Sequence, residues 1–303
     1  EIRKKIKKIK KTSKKITDNS YNQIINKLNF KLTNDQKKSL SDINKDLSSN
    51  SKMFRLLQGD VGSGKTIVAL ISALSVINSN FQVALMAPTE ILARQHYTLA
   101  KKLFPENISI ELLSSKSENI DKKRIINELK NNKIKMIFGT HAIFQKKILF
   151  NKLGYIIIDE QHKFGVRQRK LLSDKGGDNC DVLLMSATPI PRTLTMSVYG
   201  DMDVSIIREK PNNRKEVKTY SKLETKMDDV IKFVKKEITE GNQVFWVCPL
   251  IEESKKLDHQ SSVNKYEYLN KIFPNKVALL HGKIENDEKE EILYKFLNKK
   301  YSI

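Results

Sequence analysis

The segment "GDVGSGKT" sets glycines, a lysine and a threonine at the spacing of a loop that holds phosphates. Its members are Gly59, Asp60, Val61, Gly62, Ser63, Gly64, Lys65 and Thr66. Small residues let successive backbone N–H groups approach phosphate oxygens, and a following helix turns its positive end towards them. Lys65 suits the β- and γ-phosphates, and the Thr66 hydroxyl suits Mg²⁺. The strand-like "MFRLLQ" (53–58) before the loop and the helical spacing after it are the setting this chemistry requires. A glycine-rich turn is the plainer alternative, and those flanks count against it.

Such a loop needs a carboxylate at the end of a neighbouring strand, and "IIIDEQHKFGVRQR" (156–169) supplies two. Asp159 is placed to hold Mg²⁺, usually through water, and Glu160 to orient and deprotonate the attacking water. Adjacent strand residues face opposite ways, so the two acids can serve different tasks. A strand merely leaving the core for solvent would also read this way.

The elements that must position these groups are visible as short apolar runs alternating with helical patterns. The runs are "MFRLLQ", "VALMA" (83–87), "IKMIF" (134–138), "LGYIII" (153–158) and "VLLMS" (182–186). This alternation predicts an α/β fold with a parallel sheet covered on both faces, and active loops at the carboxyl ends of its strands. Residues 1–29 are Lys-rich and predicted helical, like a linker or the tail of a preceding domain. The polar "REKPNNRKEV" (208–217) reads as an interdomain linker. A second α/β pattern follows, with a helix over 226–240, strands "QVFWVC" (243–248) and "VALLH" (277–281), and a helix over 286–297.

Composition bounds the partners. The chain of 303 residues is 39% hydrophobic, which suits globular cores, and its apolar runs are too short to span a membrane. Cys180 and Cys248 are far apart and show no metal-ligand spacing, as expected in a reducing compartment. A net charge of +21 and a pI near 9.7 favour a polyanionic partner. The excess of lysine over arginine, beside abundant Asn and Ile, gives the charge an equally good compositional origin. The first residue is Glu1 rather than Met, as in a fragment.

Five segments now stand in one order: "GDVGSGKT", "APTEILARQH" (87–96), "GTHAIFQ" (139–145), "IIDEQHKFGVRQR" and "SATPIPRT" (186–193). From about Phe30 onwards the chain resembles superfamily 2 helicases and, within them, the RecG type. These are bacterial ATP-dependent DNA helicases that remodel stalled forks and Holliday junctions in repair and recombination. Gln161 with "FGVRQR" narrows the resemblance, since related transcription-repair coupling translocases typically carry Glu at that position.

The resemblance implies two RecA-like lobes of the P-loop NTPase kind, over 30–208 and 209–303, the second incomplete. It implies ATP and Mg²⁺ as cofactors and branched or forked double-stranded DNA as partner. A monomer in the bacterial cytoplasm, at the nucleoid, is expected. Gln36 in "FKLTNDQ" (30–36) is implied to read the adenine, although a polar start to a helix explains it as well. Phe30 suits packing on the base or a plain core role. Pro88, Thr89, Gly139, Thr140 and His141 are implied to hold phosphates of one DNA strand; Thr89 and Thr140 equally suit helix caps. Gln161 and His162 join the catalytic relay, and Ser186, Ala187 and Thr188 couple the nucleotide site to DNA movement. Arg167 and Arg169, beside Lys163 and Lys170, form either a DNA-following surface or a solvated face. Trp246 reads as core.

Against the family pattern, the wedge domain and the later motifs of the second lobe, with their γ-phosphate arginines, would lie outside this chain. Three function classes therefore stand: a RecG-type motor or related coupling translocase, a nucleotide-dependent DNA-binding fragment with weak or no turnover, and an RNA helicase sharing the same phosphate chemistry.

Overall fold

The computed structural model of the chain describes residues 10–16, 18–114, 119–145, 147–160, 177, 179–188, 202–209, 217–248 and 255–303. The fold is α/β. The chain divides into two compact units, Glu1–Lys215 and Glu216–Ile303.

The first unit is built on seven strands: β1 (Phe54–Gly59), β2 (Gln82–Met86), β3 (Ile110–Leu113), β4 (Met136–Gly139), β5 (Leu153–Ile158), β6 (Asp181–Ser186) and β7 (Asp203–Ile207). They form one sheet in the order β3-β4-β2-β5-β6-β1-β7, and every pairing is parallel. Helices α1 (Asp18–Ile25) and α2 (Asn34–Ser48) precede β1, and the crossovers that parallel neighbours force are made, among the described residues, by α3 (Lys65–Asn78), α4 (Glu90–Leu103) and α5 (Asn119–Lys130).

Alternation along the strands divides the core between two faces. Tyr155, Ile157, Leu183 and Met185 pack with α2 and α3 on one face, while Ile156, Ile158, Val182 and Leu184 pack with Ile125 and Leu129 of α5 on the other. Helix α3, "KTIVALISALSVIN", is apolar nearly all round and is buried from Ile67 to Ile77. The buried Tyr155 hydroxyl is satisfied by Ser72 Oγ at 3.0 Å.

Two strands escaped the apolar-run reading. The edge strand β3, "IELL", is only partly buried, and β7, "DVSII", leaves Val204 and Ile206 exposed. The amino end also differs from the helix expected over 1–29, because helix covers only Asp18–Ile25 among the described residues. Residues 10–16 form an extended strap instead. Lys11 N donates to Asn50 O and Lys14 N to Leu47 O, and Lys10 makes an antiparallel bridge with Ser51. At their far ends Lys11 and Lys14 place their ammonium groups on the buried Asp181 carboxylate.

In the second unit, helices α6 (Met227–Thr239) and α8 (Asn286–Leu297) match the expected ones, and α7 (Lys255–Ile272) was not anticipated. The expected strands 243–248 and 277–281 carry no ladder. Their few sheet-like bonds run through the last residues, from Val244 N to Ser302 O, Ser302 N to Lys276 O and Ala278 N to Ile303 O. Ile231, Val234, Leu269, Phe273, Val277 and Ile303 form its core, with Trp246 packed half-buried against it. Trp246 thus has the core role read from the sequence. No helix among the described residues is long and apolar enough to cross a membrane.

Candidate nucleotide site

Strand order explains how distant motifs meet. Strand β6 lies between β1 and β5. The phosphate-type loop after β1 and the acids after β5 therefore stand about 10 Å apart at one sheet edge, two strand spacings. Ser186-Ala187-Thr188, leaving β6, lies between them. This is the carboxyl edge, where parallel sheets place ligands.

The loop is held in shape by its own backbone. Ser63 N donates to Asp60 O at 3.1 Å, and Gly64 caps α3 in the left-handed region at φ +88°. A side chain at Gly64 would be strained there and would also collide with the Gln36 amide. Lys65 Nζ donates to Gly59 O at 2.6 Å and Asp60 O at 3.0 Å, so the ammonium curls over the loop. Burial pushes the Lys65 ammonium below the ordinary lysine range, and Asp159, Glu160 and Asp60 pull it back.

Gln36 is tied to this loop. Thr33 caps α2 in a reciprocal box: Gln36 N donates to Thr33 Oγ1, and Thr33 N to Gln36 Oε1 at 2.9 Å. The Gln36 amide is buried, and its Nε2 donates to Ser63 O at 2.8 Å. The helix-start reading and the nucleotide reading of Gln36 are thus compatible. Phe30 is 44% exposed, which removes its core alternative.

Asp159 is buried and well partnered. Its N–H donates to Met86 O at 2.8 Å, its Oδ1 accepts from Glu160 N at 3.0 Å, and its Oδ2 lies 2.7 Å from His96 Nε2. Glu160 adopts φ +52°, a left-handed conformation uncommon outside glycine and of the kind found stored at functional sites. Between the acids and the loop, Ser186 Oγ is within 3.0 Å of Thr188 Oγ1 and accepts from Thr188 N at 3.2 Å.

The fit to a nucleotide rests on the donors. Ser63 Oγ is buried in the loop without a hydrogen-bond partner among the described residues. Lys65 is held by carbonyls that phosphate oxygens can replace. Thr66 is half-buried at the start of α3. With Asp159 it gives few protein ligands and only oxygen, as suits Mg²⁺, which keeps waters and phosphate oxygens around it.

Other expected residues fall at the same edge. Strands β2 and β4 are neighbours, and Ala87 N donates to Gly139 O at 3.0 Å. This brings Pro88–Thr89 beside Gly139–Thr140–His141. Thr89 Oγ1 accepts from Leu92 N, so it is an α4 cap. Thr140 precedes the short 3₁₀ turn His141–Phe144 without a capping bond from its side chain. Gln161, His162, Arg167 and Arg169 lie outside the described residues, as do Lys163 and Lys170. His96 was missed as a site residue, although it closes the segment "APTEILARQH"; its contact with Asp159 spans 63 positions and left no local signal.

A family model for DEAD/DEAH box helicases matches residues 33–197, more than half of the chain. The chain belongs to this family.

Two relatives are named ATP-dependent DNA helicase RecG. That of Aquifex aeolicus (strain VF5) is 47% identical over 294 residues, covering 96% of this chain and 37% of its own length. That of Bacillus subtilis (strain 168) is 47% identical over 277 residues, covering 90% of this chain and 40% of its own length. A solved structure of RecG bound to a three-way DNA junction superposes with a TM-score of 0.81 at 41% identity, covering 100% of this chain and 40% of that one. The chain thus spans about two fifths of the length of these relatives. The DEAD-box helicase Mss116, at 18% identity and a TM-score of 0.69, shares the fold alone. The seven-stranded parallel unit has the RecA-like helicase fold.

Proposed function

We propose that this chain is the motor part of a RecG-type ATP-dependent DNA helicase or translocase that remodels branched DNA in repair and recombination. In this reading residues 30–208 form the lobe with the nucleotide site, 209–303 belong to the second lobe, and 1–29 are a basic linker. The observation that carries it is the convergence of Gln36, Gly59–Thr66 and Asp159–Glu160 on one sheet edge, with Ser186–Thr188 between the loop and the acids. The RecG likeness supports the DNA assignment.

Each group has a task in phosphoryl transfer to water. Backbone N–H groups of residues 62–66 and the positive end of α3 bind the phosphates. Lys65 exchanges its carbonyl partners for phosphate oxygens, and Gln36 offers both a donor and an acceptor to the adenine edge. Thr66 and Asp159 would hold Mg²⁺, which would supply charge neutralisation at the phosphates. Glu160 takes the proton of the attacking water, and Gln161 and His162 complete the relay. Ser186 and Thr188 change partners with the phosphate state, passing the change to the loops at Pro88–Thr89 and Gly139–His141. Phosphate contacts there, joined by Arg167 and Arg169, carry no sequence information, as a translocase requires. The setting is a monomer in the bacterial cytoplasm, acting on forked or junction DNA at the nucleoid.

The test is ATP hydrolysis by this chain with forked DNA, single-stranded RNA or no nucleic acid, against Lys65→Ala. The expected result is turnover above that control, stimulated more by forked DNA. Preference for RNA would overturn the DNA assignment, and Mg²⁺-ATP binding without turnover would reduce the chain to a nucleotide-dependent binding module.

A further inference from the structure

Asp159 is the buried carboxylate on which the nucleotide reading places Mg²⁺, and its outer oxygen is already engaged. His96 Nε2 lies 2.7 Å from Asp159 Oδ2, with the two side chains only 10% and 11% exposed. A carboxylate accepts and does not donate, so the Nε2 atom carries the hydrogen. Among the described residues, the other bonds of Asp159 are backbone ones, from Glu160 N to Oδ1 and from its own N–H to Met86 O. His96 is thus, among the described residues, the side chain that sets the rotation of the carboxyl group, which keeps lone pairs for a metal-bound water.

The helix bearing His96 adds to the argument. Helix α4 is capped by Thr89, whose loop stands beside Gly139–His141, and His96 is seven positions beyond the cap. At the rise of an α-helix this is about 10 Å along one rigid element. We propose that His96 is a positioning residue for the nucleotide site, orienting Asp159 for Mg²⁺ and tying it to the helix that starts at the candidate DNA-contacting loop. The proposal rests on the ATP and Mg²⁺ reading above. Partners of this kind around a metal ligand lower metal affinity or activity about 10–100-fold when removed.

The test is binding of ATPγS to the 303-residue chain, with Mg²⁺ and with EDTA, for the unaltered protein, His96→Ala and His96→Gln, alongside thermal unfolding. The expected result is that His96→Ala binds nucleotide in EDTA as the unaltered chain does, but loses about tenfold or more of the gain from Mg²⁺. His96→Gln, which keeps a donor near the Nε2 position, recovers much of that gain. A packing role alone would lower the unfolding temperature and weaken both bindings together, without rescue by Gln. That pattern, or an undiminished Mg²⁺ gain in His96→Ala, would overturn the proposal and leave the nucleotide reading standing. No Mg²⁺ gain in the unaltered chain would overturn the nucleotide reading itself, and this proposal with it.

Discussion

Lys14 Nζ lies 2.6 Å from Asp181 Oδ2, and both side chains are wholly shielded from solvent. Lys11 reaches the same carboxylate at 2.7 Å, and Met53 N donates to its other oxygen. Asp181 opens β6, which ends at Ser186, and Met53 immediately precedes β1, which ends at the phosphate-type loop. One buried carboxylate therefore fixes the starts of both strands and holds the strap of residues 10–16. Burial pushes the Lys11 ammonium below the ordinary lysine range, with Asp181 opposing the shift.

Removing that carboxylate strands two buried cations. Asp181→Ala is expected to destabilise the first unit by about 3–5 kcal/mol, the usual cost of leaving a buried charge uncompensated. Lys11→Met should cost much less, because Lys14 and the Met53 N–H still satisfy Asp181. Urea unfolding of the two variants measures the difference. Equal losses would show that the ion cluster does not anchor the strap in this way.

The Gln36 amide is divided between two jobs, and a single change separates them. In Gln36→Glu an oxygen remains to accept from Thr33 N, so the cap of α2 persists, and the stability loss of about 1–3 kcal/mol comes from a buried carboxylate set against the Ser63 carbonyl. The donor to Ser63 O is gone, and a carboxylate oxygen then faces a carbonyl. Nucleotide affinity should fall about tenfold, the equivalent of one hydrogen bond to the loop. Fluorescent-nucleotide titration beside thermal unfolding checks both halves. A variant that unfolds early yet binds normally would assign Gln36 to the helix cap alone.

Residues whose chemistry is local are legible in the sequence itself. "GDVGSGKT" carries its meaning in glycine spacing, and "LGYIII" declares a strand buried on both faces, as Leu153–Ile158 is. The edge strand β7 is not legible in this way, because its alternation of exposed and buried residues over five positions resembles a polar connection. The strap is hidden for another reason. Lys11 and Lys14 look like a solvated basic face until Asp181, about 170 positions away, is brought to them by the sheet. His96 is hidden on the same ground, since nothing near it in sequence names its partner.

The left-handed backbone at Glu160 stores strain at the residue proposed to activate water. Asn tolerates this region better than Glu, so Glu160→Asn should stabilise the fold by about 1 kcal/mol. The same change removes the carboxylate base, and hydrolysis should fall at least about a hundredfold while nucleotide still binds. Chemical unfolding and single-turnover hydrolysis report the two effects separately. A less stable variant would mean that the φ of +52° is not a strained state of this residue.

Asp35 pins the place where the chain leaves the first lobe. Its Oδ2 accepts from Arg208 N at 2.8 Å and Glu209 N at 3.0 Å, while Asp35 N donates back to Glu209 Oε2. Those backbone donors, Glu209 N foremost, hold the Asp35 carboxyl below the usual carboxylate range. A depressed carboxylate stabilises the folded state fully above its unfolded value, about 3.9, and that stabilisation is lost as pH falls through the folded value. The pin should thus hold across neutral and mildly acidic pH and release only below about pH 4. Hydrogen exchange at the amides of residues 208 and 209 reads it directly. Slow exchange is expected from about pH 5 to 8 after correction for the intrinsic rate. Asp35→Asn should exchange faster throughout that range, because a neutral amide oxygen is a weaker acceptor for two N–H groups than a carboxylate. Equal protection of both amides in the variant and the unaltered chain would remove Asp35 from that role.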